Sequence, residues 1–204
     1  MRVRITFSKQ GALRYTGNLD LHKILERSIR RAKLPLAYSQ GYHPQPRINL
    51  AAALPLGFSS RAEVLDMWLN EEVENVAAVL QAQVPSGLTI LQAEQVDDRE
   101  PSLQSQVIGA EYQVEITEAE HGSGLSEKVA SVMESESIPR VRRNKPYDLR
   151  PLIEELTVID ENQLFMRLTA REGATGRPEE VLDELGIPIE DCRIERTALI
   201  FDEK

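Results

Sequence analysis

MRVRITFSKQGALRYTGNLDLHKILERSIRRA, residues 1–32, sets the pattern from which the fold is read. Val3, Ile5 and Phe7 alternate with Arg4 and Thr6, the period-two signature of a half-buried strand. Gly11 and Gly17 punctuate a loop, and beyond it the period changes. From Asn18, read as a helix N-cap, Leu21, Ile24, Leu25, Ile29 and Ala32 recur at helical spacing within an arc of about 140°. Asp20 complements the positive start of that helix. Lys23, Arg27, Arg30 and Arg31 fall in a separate arc of about 100°. Pro35 ends the helix.

The same reasoning extends outward. Arg47 to Leu54 reads as a strand, Pro55-Leu56-Gly57 as a turn, and Ala62 to Leu69 as a second strand. Glu72 to Gln83 carries helical spacing at Val73, Val76, Ala77 and Leu80, and Leu88 to Val96 closes the set as a strand. The order β-α-β-β-α-β is the ferredoxin-like one. Asp97 to Ser105 has no period and reads as a linker. Past it the order repeats. Tyr112, Val114 and Ile116 form a strand, Leu125 to Met133 a helix, and Ile138 to Arg142 and Leu152 to Ile159 extended segments. Leu164, Met166 and Leu168 form a further strand, Glu179 to Leu185 a helix and Ile194 to Phe201 a last strand. The expectation is an α+β chain of two tandem ferredoxin-like domains, residues 1–97 and 106–204.

Charge divides the chain unevenly. Ten of its 24 Lys and Arg residues, with only Asp20 and Glu26 against them, make residues 1–50 formally +8, while the whole chain is -9. A positive surface on an otherwise acidic protein points to an anionic partner. The lone Cys192 excludes an internal disulfide and Cys-rich metal sites and fits a reducing compartment. The amino terminus lacks the apolar run of a signal peptide, and no stretch is long and apolar enough to span a bilayer. A cytoplasmic protein without membrane association follows. His22, His43 and His121 lack ligand spacing with one another or with Cys192, so no metal is expected. Neither phosphate-loop nor dinucleotide fingerprint occurs, so no cofactor is expected. Gly173-Ala-Thr-Gly176 reads as a turn before a helix that has Pro178 among its first residues.

Three groups of residues carry chemistry. Lys23, Arg27, Arg30 and Arg31 offer guanidinium and ammonium groups to phosphates from one helix face, with Arg14 nearby in sequence. The loop Ser39 to Pro46, stiffened by two prolines and turned at Gly41, holds Tyr42 for stacking and His43 as a titratable ring. Arg140, Arg142, Arg143, Lys145 and Arg150 surround Tyr147, a basic run interleaved with an aromatic, as suits single-stranded nucleic acid. An alternative reads these residues as a metal-independent RNA endonuclease resembling CRISPR repeat-processing ribonucleases. There His43 would activate a 2′-hydroxyl while Arg14 or Lys9 stabilises the phosphorane.

The runs Leu13-Arg-Tyr-Thr-Gly-Asn-Leu-Asp20, Glu26-Arg27, Arg30-Arg31, Leu34-Pro-Leu-Ala-Tyr-Ser-Gln-Gly-Tyr-His-Pro44 and Leu54-Pro-Leu-Gly57, with Glu63, resemble the radical-SAM-linked protein family. Tyr147-Asp-Leu-Arg-Pro-Leu-Ile153 resembles a second motif of that family. Its members are fused to, or encoded beside, radical SAM proteins of the cobalamin-binding type. The resemblance implies an accessory role in an RNA-linked or ribosome-linked pathway with a radical SAM partner. Relatives carry His or Ser where Asn18 stands, and often Asn where His43 stands, which argues against an essential imidazole at either place. The chain lacks the C-x-x-x-C-x-x-C run that would hold a radical SAM cluster, so such chemistry would belong to the partner. The reading is therefore a non-catalytic module that presents RNA or another anion to that partner; a protein-only adaptor docking on the partner is a further alternative.

Overall fold

The computed structural model describes residues 1–118, 124–171 and 173–202 and divides into two compact units, Met1–Val107 and Ile108–Lys204. His121 lies outside the described residues.

In the first unit β1 (Arg2–Lys9) leads through a 3-10 turn over Gly11–Tyr15 into α1 (Asn18–Arg31). Then follow β2 (Ile48–Leu50), β3 (Ser59–Trp68), α2 (Val76–Gln81) and β4 (Leu88–Val96). β1 pairs antiparallel with both β3 and β4, and β2 pairs antiparallel with β3. The strand order β4-β1-β3-β2 with two crossover helices is the ferredoxin-like topology. Alternation puts Val3, Ile5 and Phe7 with Leu65 and Met67 on one sheet face. There they form one core with Leu21, Leu25 and Ile29 of α1 and Val76 and Leu80 of α2.

Several boundaries differ from the sequence reading, for local reasons. The N-cap of α1 is Gly17, whose extended backbone precedes Asn18 in the first turn. The helix stops before Pro35, because Lys33 takes a left-handed φ of 55°. Its N–H and that of Leu34 then donate to the carbonyls of Arg30 and Ile29, closing the last turn. The residues read as a linker are folded onto the first unit. Arg2 donates to the carbonyls of Glu100 and Pro101, and Ser102 caps α3 (Leu103–Gln106). Gln104 donates to the Leu50 carbonyl.

The second unit repeats the order. β5 (Val107–Ile116) and α4 (Leu125–Glu134) precede a hairpin of β6 (Pro139–Arg142) and β7 (Lys145–Asp148). β8 (Ile153–Asp160), β9 (Gln163–Arg171), the two-residue β10 (Ala174–Thr175), α5 (Pro178–Glu184) and β11 (Cys192–Phe201) complete it. β5 lies between β9 and β11, with β8 outside β9, so the order β8-β9-β5-β11 matches that of the first unit. Pro178 opens α5 at a first-turn position where its missing N–H costs nothing. No helix among the described residues is long and apolar enough to cross a membrane.

Candidate nucleic-acid interface

The two faces of the first sheet are built differently. Opposite the core, Arg2 faces Trp68 and Arg4 faces Asp66 across the β1–β3 ladder. Asp66 is fully buried and accepts from Arg2 Nε at 2.8 Å and from Arg4 Nε at 2.9 Å. Arg4 also reaches Glu100 at 3.2 Å. Acidic partners raise the Arg4 pKa although its partial burial opposes this. The guanidinium groups of Arg2 and Arg47 lie 5.3 and 4.5 Å from the centre of the Trp68 ring. Two cations of the +8 segment are thus spent on a buried carboxylate, and the aromatic ring on that face is already in contact with cations. This sheet face serves the fold.

The outward face of α1 is different. Lys23, Arg27, Arg30 and Arg31 are all exposed. Lys23 stands 3.8 Å from Asp20, an exposed pair, and the exposed Arg30 2.8 Å from the half-buried Glu26, both within one helix. Such pairs are worth about 0.5 kcal/mol each and exchange readily for an incoming phosphate. Arg31 donates to the Gln83 carbonyl at 2.9 Å. Among the described residues Arg27 has no carboxylate partner. Leu19, on the same face one turn before Lys23, is 78% exposed.

The loop beside this face is rigid. Leu36 and Tyr38 bridge to Leu69 and Pro46. Ala37 donates to Trp68 O, Arg47 to Ala37 O and Ser39 to Gln45 O. Gln45 N–H donates in turn to the Ser39 hydroxyl at 2.9 Å. Gly41, at φ 129°, makes the bend. Tyr42 at the tip is 102% exposed, and His43 is exposed beside it. Arg30 lies 5.6 Å from the centre of the Tyr38 ring and so ties the base of the loop to α1. At the other end of α1, Arg14 stacks on Tyr15 at 4.7 Å, and its backbone carbonyl accepts from Gly57 N–H.

One expectation needs correction. Lys9 cannot stabilise a phosphorane, because its side chain is fully buried and its ammonium group donates to the Thr16 carbonyl at 3.0 Å. The His43 ring makes no hydrogen bond among the described residues. The basic run of the second unit is also largely consumed. Arg140 pairs with Asp183 and Glu184, and Arg142 with Glu180, all on α5. These carboxylates raise both guanidinium pKa values against the desolvation that lowers them. Tyr147 lies under Arg142, 4.6 Å from the guanidinium carbon to the ring centre, and desolvation with the nearby Glu180 pushes its pKa up. Arg150 donates to the carbonyls of Met133 and Ile153, closing the end of α4. Arg143 and Lys145 stay exposed at the hairpin turn, where Arg143 and Asn144 both have positive φ. Arg140, Arg142 and Arg150 are thus each already bonded within the second unit.

His22 Nε2 sits 3.3 Å from the Ile48 carbonyl, a structural contact. Among the described residues no three metal-ligating side chains converge. Cys192 is pushed up to about 11 by burial and by the neighbouring Asp191 and Glu190, so it stays a neutral thiol. Sequence reasoning missed Tyr15, Tyr38 and Leu19. The available signal was Leu19 itself, an apolar residue at the edge of the charged arc four positions before Lys23.

Comparison with known proteins places the chain in one family. The model of a family described as "Uncharacterized protein conserved in bacteria (DUF2344)" matches residues 2–178, and the chain belongs to that family. No curated protein matches. Among solved structures, the chain is similar to a "putative glycine cleavage system transcriptional repressor" at 14% identity, covering 98% of each chain, with a TM-score of 0.27.

Proposed function

We propose that this family member is a non-catalytic accessory module that binds RNA through the outward face of α1 and the Ser39–Pro46 loop and presents it to a radical SAM partner. The observation that carries the reading is the pairing of exposed cations, Arg27 above all, with a braced loop that holds Tyr42 wholly in solvent. Phosphate contacts need cations that can leave their present partners. Lys23, Arg27 and Arg30 meet that condition, whereas Arg2, Arg4, Arg140 and Arg142 would each abandon a closely bonded carboxylate. The partner class rests on the resemblance of the Leu13–Asp20 and Leu34–Pro44 runs to the radical-SAM-linked family.

Fluorescence anisotropy with a labelled RNA at several salt concentrations tests the binding. Affinity should fall as salt rises, with a slope of about -0.7 for each phosphate neutralised on a single strand. Combined Arg27→Gln, Arg30→Gln and Arg31→Gln should remove most of the affinity and make the slope shallower. No binding at low salt, or binding indifferent to salt, refutes the proposal. Co-purification with a cobalamin-type radical SAM protein, with and without nuclease, separates RNA-bridged from direct contact; a direct, nuclease-resistant complex in a chain that binds no RNA favours the adaptor reading instead.

A further inference from the structure

Three of the chain's five tyrosines, Tyr15, Tyr38 and Tyr42, are exposed, at 62%, 38% and 102%: Tyr15 just before α1, Tyr38 against Arg30 near the end of α1, and Tyr42 four residues further on in the braced loop. Tyrosine rings are amphipathic, and exposed ones grouped beside a cationic helix offer flat faces on which a planar ligand can stack. Tyr15 and Tyr38 each carry one guanidinium, from Arg14 and Arg30, which leaves part of each ring open. They bracket the cationic stretch. Asn18 to Arg30 spans about 18 Å of helix at 1.5 Å per residue, room for about five nucleotides at the stacked spacing of 3.4 Å. Between the rings run Lys23 and Arg27, on one helix face.

From this arrangement, and resting on the RNA-binding reading above, we infer that the site takes an unpaired RNA segment whose bases stack on Tyr15, Tyr38 and Tyr42 while its phosphates lie along Lys23, Arg27 and Arg30. A duplex buries the faces of its bases in its own stack and offers a protein only groove edges and backbone. Exposed rings gain nothing from it, whereas every unpaired base has a face to stack. The Ser39–Pro46 loop needs no ordering on binding, because its backbone is already fixed by the Ser39–Gln45 bonds and by Pro44 and Pro46. Stacking also reads no sequence. The site discriminates paired from unpaired RNA rather than one base from another.

The experiment measures the full chain against a 12-nucleotide single strand and against the same strand annealed to its complement, at several salt concentrations. Single-stranded RNA should bind at least tenfold more tightly. Tyr42→Ala should weaken the single strand five- to tenfold or more, leave the duplex affinity and the salt slope unchanged, and be rescued by Tyr42→Phe, since the ring and not the hydroxyl stacks. Because Tyr42 is fully exposed, the substitution should leave the melting temperature unchanged, which separates lost stacking from lost folding. Arg27→Gln should do the opposite, flattening the salt slope. Equal affinity for both forms, or Tyr42→Ala without effect on the single strand, overturns this inference and leaves RNA binding standing. No binding of either form overturns both.

Discussion

Asp66→Asn tests how the first sheet is held together. The carboxylate is fully buried and bonds to Arg2, itself 2% exposed, and to Arg4. Asparagine keeps the shape but removes the charge, leaving the Arg2 guanidinium buried without a counter-ion. Removing one partner of a buried pair costs about 3–5 kcal/mol. The low end applies, because Arg2 keeps its bonds to the Glu100 and Pro101 carbonyls and Arg4 keeps Glu100 at 3.2 Å. About 3 kcal/mol, divided by an m-value near 1.5 kcal/mol/M, moves the urea midpoint down by about 2 M. Unfolding should be followed by hydrogen exchange at β1 and β3 amides as well as by circular dichroism, so that the loss is located in the first unit. Arg4→Met should lose only about 1 kcal/mol, since Arg4 is partly solvated. Arg2→Met combined with Asp66→Leu should be milder than Asp66→Asn alone, because no unpaired charge is left inside. A loss below about 1 kcal/mol for Asp66→Asn would falsify the view that this carboxylate anchors the face.

Other expected outcomes follow from single contacts. Gly87→Ala should cost about 2 kcal/mol or more, read as a drop of about 4–8 °C in melting temperature. A Cβ there would sit 2.7 Å from the Gln10 carbonyl oxygen, on a backbone at φ 92°. Arg150→Met should destabilise the second unit by about 2 kcal/mol in urea denaturation, through loss of charged hydrogen bonds to two carbonyls, and leave RNA affinity unchanged. An equal loss of RNA affinity in Arg150→Met and Arg27→Gln would overturn the division between structural and binding arginines. Alkylation of Cys192 at pH 8 should run on the order of a hundredfold slower than that of a free cysteine, whose thiolate fraction is far larger. The raised thiol pKa also fixes a sign. Its contribution to stability is complete below pH 9, where the thiol is neutral in both states. That contribution is lost toward pH 11, because the unfolded chain ionises first. Cys192→Ala should therefore lose less stability than the parent chain between those values, as read from urea midpoints.

The element order was legible in the sequence because its signal is local. Val3, Ile5 and Phe7 alternate, and Leu21, Leu25 and Ile29 recur at helical spacing, whatever the rest of the chain does. β4 was read with its observed bounds, and α4 and α5 lie within one residue of theirs. β2 and α2 are shorter than the sequence pattern predicts: β2 pairs with β3 only over Ile48–Leu50, and α2 starts only after Asn75, at φ 53°, although the helical spacing begins at Val73.

Within the candidate site the basic face of α1 and the exposed loop were legible for the same local reason: all four cations lie within three turns of one helix. Which other cations are available was not. Arg2 is bonded to a residue 64 positions away, and Arg142 to one 38 positions away. Sequence alone determined the succession of strands and helices and the +8 start of the chain, because periodicity and charge are properties of neighbours. Only the tertiary structure decided which of those charges is neutralised, because ion pairing depends on what folding brings within about 3 Å.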